Sequence, residues 1–150
     1  MKKQLGILVA ALMIFGMAAF ANGPLLGVSF VPQATSAGEL TVGWDFGPIN
    51  IEATTKNLTD YTADWTFGSL WTPQIGAFGY RAGARIFATW STTKFEYDGF
   101  DFVLGVSNTW GPVQLYGDLR LEPTNTLVIS PIIGINILFS ELIPGKDVAI

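Results

Sequence analysis

From residue 25 onward, apolar and polar side chains alternate along most of the chain. Residues 39–46 set the pattern: Leu40, Val42, Trp44 and Phe46 point one way, and Glu39, Thr41, Gly43 and Asp45 the other. A period of two marks a strand with unlike faces. The same reading predicts eight strands, at 25–33, 39–46, 49–56, 61–71, 78–90, 100–110, 113–122 and 127–139. Gly47-Pro48, residues 72–76 and Gly111-Pro112 are predicted turns, and residues 34–38, 57–60, 91–98 and 123–125 are predicted loops at the opposite end. After residue 22 no apolar run approaches the ~20 residues of a membrane-spanning helix. The longest, 131–139, contains Asn136. Two irregularities interrupt the alternation. The phase slips at Asp98-Gly99, where a bulge places Phe95 and Tyr97 on the face of Phe100. Pro32 and Pro131 fall in the first and last strands, which must pair if the sheet closes, and proline donates no ladder bond.

The N-terminus has a different pattern. Met1, Lys2 and Lys3 precede an uncharged apolar stretch, and Ala19-Phe20-Ala21 follows. That order predicts a secretory signal peptide over 1–21, cleaved before Asn22. Without cysteine the leader is not that of a lipoprotein. The chain then divides into the signal peptide, a barrel over 22–139 and a short tail over 140–150. Removing Lys2 and Lys3 takes the formal charge from −4 to −6.

Composition decides which face is wet. The chain is 49% hydrophobic and 13% charged, about half the charge of an ordinary soluble domain. Its acidity argues against a nucleic-acid partner, which needs a basic face. The strand charges are Glu39, Asp45, Glu52, Lys56, Asp64, Arg81, Arg85, Asp101, Asp118, Arg120 and Glu122, all on the polar face. A charge facing lipid at the bilayer midplane costs ~2–4 kcal/mol, so a lipid-facing surface shows this absence. The rest of the polar face is largely Gly, Thr and Ser, which suits a narrow interior. Trp44, Phe46, Trp71 and Trp110 flank the turns, where an interfacial aromatic girdle belongs. These features predict an all-β fold: an eight-stranded antiparallel up-and-down transmembrane β-barrel.

The signal peptide, eight dyad-repeat strands and tight turns make residues 23–139 similar to the small bacterial outer-membrane barrels of the OmpA/OmpX type. The resemblance implies location in the bacterial outer membrane, a monomer in contact with outer-membrane lipid, and insertion by the outer-membrane machinery. It also implies turns on the periplasmic side. Phe139 resembles the terminal aromatic that this machinery reads, although residues 140–150 follow it. The opposite loops are shorter than those through which ligand-binding members of the family act.

Chemistry is sparse. Zero His and zero Cys remove Ser-His and Cys-His catalysis and the usual metal ligands. Lipid-A-modifying barrels of similar size use His with Ser, which this chain lacks. Asp98 and Asp101 are the nearest approach to a carboxylate pair. We expect no enzymatic activity, no cofactor and no metal. The constellation that remains is ionic: Arg81, Arg85 and Arg120 facing Glu52, Asp64, Asp101, Asp118 and Glu122. Hairpin order puts Arg85 near Asp64 and Asp101. Buried charges must be paired, so the expectation is a plugged lumen and a structural, envelope-integrity role. Two alternatives stand beside it. One is a minor cation-preferring pore, because lumen acids outnumber bases. The other is a secreted soluble barrel, with Leu40, Trp44, Ile51 and Leu115 lining a cavity and Arg85 exposed.

Overall fold

The computed structural model describes residues 23–32, 38–55, 64–90 and 94–142. The predicted signal peptide, most of the tail, Lys56, residues 34–37 and 91–93 and the whole predicted loop at 57–60 lie outside these residues. The strands are β1 (Gly23–Phe30), β2 (Glu39–Asp45), β3 (Ile49–Thr55), β4 (Asp64–Trp71), β5 (Gln74–Ile75), β6 (Phe78–Trp90), β7 (Phe95–Trp110), β8 (Val113–Pro123) and β9 (Leu127–Leu138). β5 is a two-residue ribbon inside the turn between β4 and β6. The other eight form a closed antiparallel barrel. Each pairs with its chain neighbours, β4 pairs with β6, and β1 pairs with β9. Over the length of the β1–β9 pairing, closure removes the two free edges that are the usual hazard of an open sheet.

The turns are where their residues require them. Gly47, Gly76 and Gly111 have φ of 87°, 65° and 54°, conformations that cost glycine little. Pairing followed around the barrel returns to its start displaced by about ten residues, which corresponds to strands tilted by roughly 40°.

Both irregularities have a local cause. The β6–β7 register pairs Phe87 with Gly99 but Ala88 with Tyr97, so Asp98 is the extra residue of a bulge. The bulge carries β7 back to Phe95, and residues 95–98 are strand rather than loop. The prolines lie outside the seam. β1 ends at Phe30, short of Pro32, and its last pair with β9 is Phe30 with Ile133. Leu138 N–H donates to Pro112 O across to β8. Backbone direction alternates along a strand, so Pro131 addresses the other side, beyond that last pair with β1. Its missing N–H breaks no bond of the seam. At the far end the strand stops at Leu138, and Phe139 opens a 3₁₀ turn (Phe139–Leu142) rather than closing β9.

The two faces differ as the alternation requires. Val28, Ile51, Leu104, Leu115, Leu119, Ile133 and Ile135 lie exposed on the outside. Arg81, Arg85, Glu52, Asp101 and Asp118 are buried inside. The lining expected of a soluble ligand-holding barrel, with Ile51 and Leu115 inside and Arg85 outside, is not the one observed: Ile51 and Leu115 are exposed and Arg85 is buried. The interior is not wholly polar, however. Leu25, Leu70, Val103, Ile132 and Leu138 also face inward and are almost fully buried. At Ser69-Leu70 the polarity inverts, with serine outside and leucine inside.

Candidate functional site: the ionic lumen

The interior is a stack of interlocked side chains, each positioned by a strand whose polar positions face inward. Large groups lie against glycines of neighbouring strands. A Cβ on Gly68 would meet Arg85 Cγ at 2.5 Å, and Cβ atoms on Gly134 and Gly105 would overlap Tyr116 and Asp118 respectively. These glycines supply the space that an eight-stranded lumen otherwise lacks.

Arg81 on β6 is the centre. Its Nε donates to Asp118 Oδ1 and Oδ2 at 3.0 and 3.1 Å. Its Nη2 donates to both carboxylate oxygens of Glu52 at 3.3 Å. Its guanidinium carbon sits 4.1 Å from the centre of the Tyr116 ring, within cation–π range. One arginine thus ties β6 to β8 and, across the lumen, to β3. Its side chain is 1% exposed.

Two further pairs complete the network. Arg85 Nε donates to Asp101 Oδ1 at 2.9 Å, and Arg85 Nη2 bonds Asp101 Oδ2. This is the fork geometry that suits a carboxylate. Arg120 on β8 reaches Glu39 on β2, with Nη1 to Oε1 at 2.8 Å and Nη2 to Oε2 at 2.5 Å. Ser29 Oγ donates to the same carboxylate at 3.1 Å. Toward the turn end lie uncharged pairs: Asn136 Nδ2 to Gln114 Oε1 at 3.0 Å, and Thr72 Oγ1 to Asn50 Oδ1 at 3.3 Å.

Arg81, Arg85, Arg120, Glu52, Asp101 and Asp118 therefore come together as paired charges. Asp64 and Glu122 do not. Asp64 is exposed at the rim, where it and Asp98 share the Thr89 hydroxyl at 2.9 and 2.5 Å. Glu122 is half-buried near the top of β8, opposite Val128. Asp64 does not lie beside Arg85 as expected, because the β4–β6 register pairs it with Thr89, four residues nearer the mouth, and places Gly68 opposite Arg85. Asp98 and Asp101 are separated in the same way, one at the rim and one on Arg85. The sequence reading left Glu39 and Tyr116 out of the cluster. The signal for Glu39 was its place at the head of the Thr41, Gly43, Asp45 alternation.

The aromatic positions share one end. Trp71 and Trp110 are 56% and 58% exposed, and Trp44 and Phe46 are half-buried, all beside the turns. Toward the other end, Trp65 stacks on Phe67 and Phe100 meets Phe102 edge-on.

Fold and interior together define a closed eight-stranded antiparallel barrel with an ion-paired lumen and an apolar exterior. The chain matches no family model, and no curated protein sequence matches it.

Proposed function

We propose that this chain is a small bacterial outer-membrane barrel, similar to the OmpA/OmpX type, with a structural, envelope-integrity role. One observation carries the reading: ionised side chains are buried inside while a continuous wall of Val, Leu, Ile and Phe is exposed outside. Water would favour the reverse arrangement. Outward positions on β9 run from Ile137 to Leu127, about 33 Å along the strand at ~3.3 Å per residue. At a tilt of roughly 40° this is about 25 Å along the axis, the height of an outer-membrane apolar band. Outer-membrane lipid is the partner of that surface, and the outer-membrane machinery inserts the exported monomer. The bridges of Arg81 across the lumen support a plug over the minor cation-preferring pore.

The test is to refold residues 22–150 from urea with and without detergent micelles. We expect a β-rich circular dichroism spectrum, migration on gels that changes on boiling, and precipitation when detergent is omitted. Planar bilayers should show no steady conductance. A folded monomer in plain buffer would overturn the membrane reading, and a steady cation current would overturn the plug.

A further inference from the structure

The wall of the barrel is uneven. β1 and β2 have 8 and 7 residues, whereas β6 to β9 have 13, 16, 11 and 12. β9 continues from its last pair with β1, at Ile133, to Leu127. That is about 15 Å further along the barrel axis at ~3.3 Å per residue and roughly 40° of tilt.

The tall side keeps an apolar outer face to its top, where the inner face mixes acidic groups with Val128, 45% exposed. Tyr97, Leu127 and Ile129 are 61%, 58% and 52% exposed on the outside. Asp98 binds the Thr89 hydroxyl on the inner side, and Glu122 stands opposite Val128. A wall standing in water would have no need for an apolar outer face there.

We propose that the outer face of β7–β9 contacts lipid acyl chains up to Tyr97 and Leu127, so that the lipid boundary climbs from β1–β2 to β7–β9. This rests on the membrane reading and extends it. The occupant is lipid because the patch is continuous with the lower apolar band. A boundary at two heights is met by tilting the barrel or thinning the bilayer beside the short wall.

The chain has no cysteine, so single-cysteine variants carry a polarity-sensitive fluorophore without background. We would place it by Tyr97→Cys and Leu127→Cys, with Ile135→Cys as the mid-band reference and Lys94→Cys as the aqueous one. Ile129→Cys replaces either variant that fails the boiling-shift test of folding. The proteins are folded into dimyristoylphosphatidylcholine vesicles containing chain-brominated lipid, and quenching is compared with that by aqueous iodide. Labels at 97 and 127 should lose emission to brominated lipid as the label at 135 does, and be spared by iodide. Iodide quenching at 97 and 127 with protection at 135 would overturn this proposal and leave the membrane reading standing. Iodide quenching at 135 as well would overturn both. A disulfide-linked dimer through Tyr97→Cys would assign the patch to a second copy instead.

Discussion

The centre of the lumen and its rim solve the same electrostatic problem in opposite ways. Glu52 and Asp118 are 6% and 7% exposed and share one arginine, which is itself buried. At the rim, Asp64 and Asp98 converge on a neutral hydroxyl in an exposed position. The first carboxylates have lost their water and need a fixed cation. The second keep water, which screens them, and need only a hydrogen bond. Interaction strength therefore follows depth along the strand rather than charge type.

The comparison is broken most severely at Arg81. Arg81→Ala leaves two buried carboxylates without a counter-ion, and removing one partner of a buried pair costs about 3–5 kcal/mol. The midpoint of urea unfolding in micelles, read by loss of the boiling-sensitive gel shift, should fall by that equivalent. An unchanged midpoint would mean that the centre is as hydrated as the rim. Arg81→Lys should recover only part of the loss, because an ammonium cannot fork to Asp118 and Glu52 while lying on Tyr116.

Glu39→Gln tests a pair whose carboxylate is as buried as those of the centre but whose arginine is more exposed. Arg120 is 13% exposed and Glu39 7%. The amide keeps one acceptor for Arg120 and for Ser29, so the expected loss is about 1–2 kcal/mol. A loss as large as that of Arg81→Ala would place this pair in the same dry interior as the centre.

How much of this was legible beforehand follows from what a strand's sequence encodes. Alternation at Leu40, Val42 and Trp44 against Glu39, Thr41 and Gly43 states which residues share a face, and the turn glycines state where the chain reverses. Local pairs such as Arg85 with Asp101 follow from hairpin order. The meeting of Arg120 with Glu39 does not. It joins β8 to β2 across the lumen, and only the stagger of the closed barrel decides which distant residues share a level. Asp64 stands at the rim because the β4–β6 register pairs it with Thr89, whereas Asp101 pairs with Arg85 and stays inside. Leu70, Val103 and Ile132 were hidden for another reason. An apolar residue at an inward position looks like a break in the pattern until its packing is known. Asp98-Gly99 was legible because a bulge is a local event and leaves its mark in the phase.

The smallest effect belongs to the rim itself. Asp98→Asn removes one of two carboxylates that share a single hydroxyl proton, since Thr89 Oγ1 cannot donate to both at once. The neutral amide also supplies a donor where two acceptors had faced one another. Exposed polar changes away from a core usually stay within about 0.5 kcal/mol. The unfolding midpoint should therefore move by no more than that, with any shift in the stabilising direction and shrinking as salt is added, because screening already weakens the repulsion it relieves. A destabilisation above about 1 kcal/mol would show that the Asp64–Thr89–Asp98 contact braces the tall β6–β7 hairpin. Depth would then no longer suffice to rank the charges of this barrel.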